Sequence, residues 1–205
     1  MTGVDRLVTA FPEPAPAPVA GPPGPPPGLD RVRALVNTAN IEDGTDEISS
    51  PEALAAWLEA HGLADSSVRL TDEEVALARE VREALRDLLG ANAGHPVDPT
   101  SVRTLDAASA AVPLAVRFEG SGRPTLRPAG EGLSGALGIL MADIAMAVAD
   151  GTWVRLKTCA SDTCRWAYWD ASKNRSGTWC SMAVCGNRMK GRRYRRIRQQ
   201  SVAAT

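Results

Sequence analysis

The feature that most constrains this chain is a group of four cysteines near its C-terminal end, followed by a strongly basic segment. Cys159 and Cys164 form one Cys-x4-Cys pair, and Cys180 and Cys185 form a second pair after fifteen intervening residues. These are the only cysteines among the 205 residues. Residues 188–198 contain seven Lys and Arg and no acidic residue. Four thiols leading into a basic helix are the strongest indication of function in the sequence.

The charges of the chain are divided sharply along its length. Residues 155–198 carry 12 basic and 2 acidic side chains, whereas residues 1–154 carry 11 basic and 22 acidic ones. A block of positive charge on a short segment is typical of a protein that binds a polyanion. The acidic remainder keeps the net charge near zero, at −1, and can shield the basic block in the free protein.

No segment of the sequence reads as an export signal or a membrane anchor. The apolar run after Arg6 is broken by prolines from Pro12 onward. The longest apolar stretch, residues 133–149, is short for a membrane span and contains Asp143, so we predict a buried helix there. We therefore expect a cytoplasmic protein, in a reducing compartment where paired cysteines favour a metal over a disulfide.

The chain divides into three predicted parts. Residues 1–28 hold nine of the fifteen prolines and are predicted to be a disordered tail. Residues 29–150 are predicted to form a mostly helical domain, and residues 151–200 a small cysteine module with a basic helix. The expected fold class is mainly α with a small β-hairpin (α+β), followed by a treble-clef-like or ribbon-like zinc module ending in that helix.

Periodicity and capping residues place the elements of the helical domain. Apolar residues repeat at helical spacing from Leu29. Further helices are predicted after Ser50-Pro51, after the capping-box sequence Thr71–Glu74, and after Asp98-Pro99, the last packing through Val102 and Leu105. A period of two over residues 114–118 predicts a hairpin whose return strand is marked as an edge by Pro124 and Pro128. The apolar helix at 133–149 is predicted to be central, and residues 153–156 to form a short strand.

No enzymatic motif is recognisable, and we expect a protein that is not an enzyme. His61 ends a helix and His95 precedes a proline, and neither lies in a catalytic pattern. Residues 132–136 lack the second glycine of a nucleophile elbow. Asn37 and Thr38 can line a small-molecule pocket or simply end a helix. The acidic loop at 42–47 is predicted to be a solvated turn.

The spacing of the cysteines alone leaves three chemistries open. Four thiolates close a tetrahedral zinc shell and leave no free position, which makes a structural site, and this is the favoured interpretation. An iron–sulfur cluster or redox switch, and a pair of disulfides, are the alternatives. Because a module of about 40 residues buries little apolar area, the metal and the nearby aromatic residues would share the task of stabilising it. Those aromatic residues are Trp166, Tyr168, Trp169 and Trp179.

The module resembles a known family. The two cysteine pairs, the run Asp170–Arg175, the sequence Trp179–Met182 and the tetrapeptide Cys-Gly-Asn-Arg at 185–188 are similar to the CGNR zinc finger family. That resemblance implies one structural Zn²⁺ held by Cys159, Cys164, Cys180 and Cys185. Members usually carry an N-terminal helical domain named ABATE, proposed to belong to stress-related transcription regulators, and residues 29–150, including Leu35-Val36-Asn37-Thr38, resemble it.

The basic segment favours nucleic acid as the partner, and double-stranded DNA above all. Arg predominates over Lys, which suits bidentate contacts with phosphate and guanine. Met189, Tyr194 and Ile197 are predicted to pack inward. The expected contact residues are Lys173, Arg175, Asn187, Arg188, Lys190, Arg192, Arg193, Arg195 and Arg196.

The first hypothesis is thus a DNA-binding regulator whose N-terminal domain senses a small-molecule effector or forms a homodimer. An RNA-binding module is the second, if Trp166, Tyr168 and Trp169 face solvent and stack on bases; packing in a small core is favoured for them. A thiol-based redox sensor is the third, and it requires an exposed cysteine of low pKa.

Overall fold

The structure is a computed structural model that describes residues 24–192, 194 and 195. Most of the predicted tail, residues 1–23, lies outside the described residues, and the first helix begins within the end of that tail, at Pro27. The elements are, in order, α1 (Pro27–Asn37), β1 (Ala39–Asn40), β2 (Thr45–Asp46), α2 (Pro51–Ala60), α3 (Asp72–Ala91), α4 (Pro99–Ala110), β3 (Leu114–Phe118), β4 (Pro124–Pro128), α5 (Gly132–Ala149), a 3-10 turn (Trp153–Arg155), β5 (Leu156–Thr158), β6 (Ala167–Trp169), a π-helical turn (Met182–Gly186) and α6 (residues 187–192, with helical backbone again at 194 and 195). The described chain is mainly helical, as predicted, and has three small antiparallel strand pairs, of which the β3–β4 hairpin was predicted.

Side chains at the helix starts explain where three helices begin. Ser50 accepts a backbone N–H of the first turn of α2. At α3, Thr71 accepts the Glu74 N–H and the Glu74 carboxylate accepts the Thr71 N–H, which completes the predicted capping box. The Asp98 side chain caps α4 by accepting the Thr100 N–H. Each cap stabilises its helix by about 1 kcal/mol, so these local signals were sufficient to place the helix starts.

Helix α5 lies at the centre of the N-terminal domain, as predicted. Most of its residues are buried, and α1, α4 and β4 pack on it. The charged residue within it, Asp143, accepts two hydrogen bonds from Arg31, at 3.0 and 2.7 Å. A Cβ atom at Gly28 would lie 2.6 Å from the Asp143 carboxyl group, so glycine is needed for this close approach. Among the described residues α5 is the one helix long and apolar enough to cross a bilayer, but its burial and this ion pair make it a core helix.

The predicted hairpin is present, but the apolar side chains of β3 are exposed to solvent. Strands β3 and β4 pair from Leu114 opposite Pro128 to Phe118 opposite Pro124. The side chains of Leu114, Val116 and Phe118 are 37%, 53% and 74% exposed. Alternation along a strand therefore correctly predicted the strand but says nothing about which face, if either, the domain covers.

Two local predictions are wrong. Helix α4 packs through Leu105 and Ala108, while Val102 is 42% exposed. The predicted strand over residues 153–156 is a 3-10 turn, and β5 begins only at its last residue. The turn is held because the Asn92 side chain donates hydrogen bonds to the carbonyls of both Trp153 and Leu156, at 3.0 and 2.9 Å.

The C-terminal module shares the hydrophobic core of the helices. β5 packs on α3, and β6 packs on α1. Leu156 and Ala167 are fully buried and belong to the same cluster as the helix residues, with Trp153 and Trp169 at its border. The module thus obtains from its neighbour the apolar cover that its own 40-odd residues do not supply.

Candidate metal centre and nucleic-acid interface

All four cysteine side chains converge at the end of the β5–β6 hairpin. Their Sγ atoms lie within 4.8 Å of one another. Cys159 directly follows β5, and Cys164 lies in the turn that leads to β6. Cys180 precedes the π-helical turn, and Cys185 lies inside it. One pair lies in a hairpin turn and the other at a helix start, which matches the treble-clef-like one of the two arrangements that the sequence left open.

Backbone geometry directs these sulfur atoms inward. In the first turn, the Cys159 N–H donates to the Trp166 carbonyl at 2.9 Å, which closes the hairpin around the intervening residues. In the second, the Gly186 N–H donates to the Ser181 carbonyl, an i→i+5 bond of 3.0 Å. This wider turn brings Cys180 and Cys185 to the same side, with their Sγ atoms 3.7 Å apart.

The sulfur positions fit a single zinc ion. A tetrahedron with Zn–S bonds of about 2.3 Å has S···S edges of roughly 3.8 Å. The Cys164–Cys180 and Cys180–Cys185 Sγ distances are both 3.7 Å. A disulfide would need about 2.05 Å, and all four cysteines are free thiols. Cys159, Cys164, Cys180 and Cys185 therefore form a closed site that can hold one structural Zn²⁺.

The thiol pKa values show why this cluster needs a cation. Burial opposes ionisation of Cys159, but hydrogen bonds from backbone and neighbouring thiols outweigh it and lower its pKa. Burial, together with the charge of Cys159, raises the pKa of Cys180. Burial and neighbouring thiols raise the pKa of Cys185 to about 11. The Cys159 thiolate thus opposes ionisation of Cys180 and Cys185, and a divalent cation would relieve that repulsion.

A buried ion pair supports the loop between β6 and the second cysteine pair. The Lys157 ammonium lies 2.7 Å from Asp170, with both side chains at most 5% exposed. Lys157 also donates to the carbonyls of Arg175 and Gly177. Burial opposes ionisation of Asp170, but hydrogen bonds from Lys157 and from loop N–H groups outweigh it and lower its pKa to about 2. The loop that carries Lys173 and Arg175 is therefore a fixed platform.

Two side chains of the N-terminal domain bind the first cysteine turn. The Asn37 amide donates to the Ala167 carbonyl at 2.9 Å and accepts the Ala167 N–H at 2.8 Å, so it pairs with β6 as a strand would. Arg86 is fully buried and donates to the carbonyls of Val36 and Arg165 at 2.6 and 3.0 Å. The role of Asn37 was open from the sequence and that of Arg86 was not foreseen, because a partner that is a backbone carbonyl leaves no sequence signal.

The acidic loop contacts the basic segment directly. A Glu42 carboxylate oxygen lies 2.8 Å from the Arg188 guanidinium. The hydrogen bond from Arg188 lowers the pKa of Glu42, and the charge of Arg192 adds to this. In the same loop, Asp46 pairs with Arg82 at 2.7 Å. The loop is an exposed turn, as predicted, but arginines from α3 and the basic segment also form ion pairs with its carboxylates.

Helix α6 presents a polar and basic stripe to solvent. Asn187, Lys190 and Tyr194 are exposed and follow one another at helical spacing. Tyr194 is 67% exposed, so its predicted inward packing is wrong, whereas Met189 is half-buried as expected. The remaining predicted contact residues that are exposed are Lys173, Arg175, Arg192 and Arg195. Predictions for Arg193, Arg196 and Ile197 lie outside the described residues.

The aromatic residues of the module form its small core. Trp166, Tyr168, Trp169 and Trp179 are all half-buried. The Tyr168 hydroxyl donates to the Gly177 carbonyl at 2.7 Å, and Trp169 packs against the main core. A Cβ atom at Gly186 would collide with the Met182 sulfur and lie 3.2 Å from a Trp179 ring carbon, so glycine suits this position of the tetrapeptide at 185–188. All four rings are thus partly covered by the protein, as packing in a small core requires.

With the site in view, comparison with known families decides the assignment. Residues 29–151, more than half of the chain, match the ABATE family model, described as "Putative stress-induced transcription regulator". The chain belongs to the ABATE family. The CGNR zinc finger model matches residues 155–198, behind the ABATE domain, so both resemblances are confirmed in the expected order. A search of curated proteins finds no match. The four clustered cysteines are thus the zinc site of a CGNR finger that packs on an ABATE domain.

Proposed function

We propose that this ABATE-family protein is a cytoplasmic, non-enzymatic transcription regulator whose CGNR finger presents α6 to duplex DNA. The observation that carries the proposal is the set of exposed cations on α6, Lys190, Arg192 and Arg195. The helix that carries them begins within one turn of the last zinc ligand. The metal centre fixes the start of α6, and the loop between β6 and the second cysteine pair adds two exposed cations of the same finger, Lys173 and Arg175. Phosphates would bind these cations, while Asn187 suits bidentate contact with adenine.

Replacing Lys190, Arg192 and Arg195 with alanine tests the proposal, because all three are exposed on α6. Each phosphate contact releases counterions and contributes about −0.9 to the slope of log K against log salt. We expect the slope of log K against log salt to become less negative by about 2 to 2.7 in the triple variant. At low salt the variant should bind short duplex DNA at least about tenfold more weakly. Fluorescence anisotropy across a salt series measures both quantities.

The matched control removes three cations from the ABATE domain instead. Arg33, Arg69 and Arg103 lie far from the module in sequence, and each donates a hydrogen bond to a residue of the ABATE domain. Their alanine variant should keep the slope of the wild-type protein. Equal losses in the two triple variants would mean that net charge, and not α6, determines binding.

The Glu42–Arg188 ion pair predicts a smaller effect of opposite sign. In the free protein the Glu42 carboxylate occupies Arg188 and competes with phosphate for it. Glu42→Gln removes the competing charge, so we expect DNA affinity to rise about two- to fivefold, the range of an exposed ion pair. Titration of the same duplex DNA measures it.

Glu47→Gln is the matched control, because Glu47 carries the same charge on the same loop and has no ion-pair partner among the described residues. It should leave the affinity close to that of the wild type. A rise as large as that of Glu42→Gln would show that the loop acts only through its overall charge.

Two observations bear on the alternative functions. The half-buried rings at 166–169 are poorly placed to stack on RNA bases, and competition between single-stranded RNA and duplex DNA for the protein distinguishes these partners. A redox sensor requires an exposed thiol of low pKa, whereas Cys159, the thiol whose pKa is lowered, is buried.

The ABATE domain offers a place for an effector. A cleft of about 930 Å³ opens between the start of α5, the β3–β4 hairpin and the segment after α2, a volume in the range of small-molecule sites. Arg69, Arg117 and Arg127 line it together with acidic residues. We propose that this domain serves sensing, dimerisation, or both.

A further inference from the structure

The hydrogen-bond pattern of the β3–β4 hairpin leaves one edge of β3 open. The Glu119 N–H donates to the Arg123 carbonyl at 2.9 Å. This bond shows which alternate residues of β3 are hydrogen-bonded to β4. In an antiparallel pair such bonds involve every second residue, so the odd-numbered residues of β3 bond to β4. The residues whose N–H and C=O groups point away from β4 are Leu114, Val116 and Phe118.

The two edges of this sheet differ in their protection. Pro124 and Pro128 lie at outward positions of β4, and neither has an N–H to offer a further strand. Prolines are a common means of blocking an edge. β3 has no proline, and in the part of the chain that the structure describes no third strand joins the sheet. One edge is closed and the other is available for pairing.

The available edge carries the exposed apolar side chains described above. Phe118, at 74%, is the most exposed large apolar side chain of the described chain. Within the hairpin, β4 packs on α5, whereas β3 makes its main contacts with β4. Both the unpaired backbone and the exposed apolar side chains therefore favour addition of a strand along β3.

We propose that β3 is a homodimerisation edge, which pairs antiparallel with β3 of a second copy about a two-fold axis at Val116. Leu114 then lies opposite Phe118 of the second copy, and Val116 opposite its own counterpart. The result is a four-stranded sheet with prolines at both outer edges. Only the role of the dimer rests on the proposed function: it would place two fingers on adjacent DNA half-sites.

The sequence of β3 is suited to a second copy of itself. Centred on Val116, all five residues of Leu114–Phe118 are paired, and the single charged residue, Arg117, lies opposite Ala115. Moving the two-fold axis to Arg117 would shift the register by two residues and place two Arg117 side chains opposite each other, which is destabilising. Isologous contacts of this kind close after two copies and do not grow further.

The expected dimer is weak. A contact between two five-residue strands is well below the ~800 Å² per partner of a standard interface. We therefore expect micromolar self-association in solution, which neighbouring half-sites on DNA would strengthen by raising the effective concentration.

Sedimentation of the full zinc-loaded chain tests the proposal. The wild type should shift from 21.6 kDa toward twice that mass between about 1 and 200 µM, around the expected micromolar association. Val116→Pro removes one outward N–H and no bond of the hairpin ladder, and should stay monomeric. Val116→Lys, which keeps that N–H but opposes two charges across the axis, should also stay monomeric. Val116→Thr keeps both features and should still dimerise.

Hydrogen exchange locates the contact. The amides of Leu114, Val116 and Phe118 should gain protection with rising protein concentration. A wild type that is monomeric at the highest concentration, or a dimer that survives in both Val116→Pro and Val116→Lys, would overturn the proposal. Protection of these amides independent of concentration would mean that the chain covers its own edge, which also overturns it.

The two proposals fail separately. A wild type that binds DNA but never dimerises refutes only the β3 interface. A protein that dimerises through β3 but shows no binding to duplex DNA refutes only the proposed function.

Discussion

Cys185→Ser should reduce the zinc content from one ion per chain to nearly none and unfold the CGNR finger. Zinc binding to finger peptides contributes roughly 10–16 kcal/mol at neutral pH, as much as the whole stability of a typical domain, about 5–15 kcal/mol. Because Leu156 and Ala167 belong to the common core, loss of the finger should also lower the melting temperature of the ABATE domain. Metal analysis and thermal unfolding by circular dichroism measure these effects.

The neighbouring residue supplies the control for this variant. Ser181 caps the π-helical turn through the Val184 N–H but is not a metal ligand. Ser181→Ala should retain the zinc and lose only about 1 kcal/mol, the contribution of a helix cap. If Cys185→Ser kept stoichiometric zinc and the wild-type melting temperature, the assignment of the four-cysteine zinc site would be wrong.

Arg86→Met should destabilise the whole described assembly. The side chain is completely buried and holds the carbonyls of Val36, Ala39 and Arg165, which join α1, β1 and the first cysteine turn. Methionine has similar length but no donors, so these carbonyls would be left unpaired. We expect a loss of roughly 3–5 kcal/mol and a fall in melting temperature of about 10 °C.

A second arginine of the ABATE domain provides the comparison. Arg33 forms an ion pair with Asp30 within α1, and its side chain is 37% exposed. Arg33→Met should change stability by no more than about 0.5 kcal/mol, as surface substitutions usually do. Urea denaturation of both zinc-loaded variants measures the difference. Equal stability of the two would contradict the claim that Arg86 ties the finger to the ABATE domain.

The parts of the structure that could be predicted from sequence are those whose physics is local. A cap such as Thr71 acts within its own first turn, and the central helix α5 is recognisable from its composition. The cysteine spacing and the tetrapeptide at 185–188 are short motifs, and they carry the family resemblance that implied the metal ligands. For this reason the helix starts, the fold class and the zinc site were all anticipated.

What could not be predicted depends on partners distant in sequence. Asn37 contacts Ala167 across 130 residues, and Glu42 reaches Arg188 only because the finger packs beside the acidic loop. Each of these residues has an ordinary local explanation, as a helix end or a turn, that conceals the long-range contact. For Tyr194 the sequence suggested a contact that the structure lacks. An aromatic residue at helical spacing predicts inward packing, but this side chain is exposed.

The most direct test of the central claim is a titration of duplex DNA with zinc-loaded protein and with the same protein after removal of zinc, across a salt series. If the metal centre positions a basic helix on DNA, the zinc-loaded protein binds at about 50 mM salt with a steep negative slope of log K against log salt. The metal-free protein loses most of that affinity. A flat slope, an absence of binding at low salt, or equal binding with and without zinc would contradict the account.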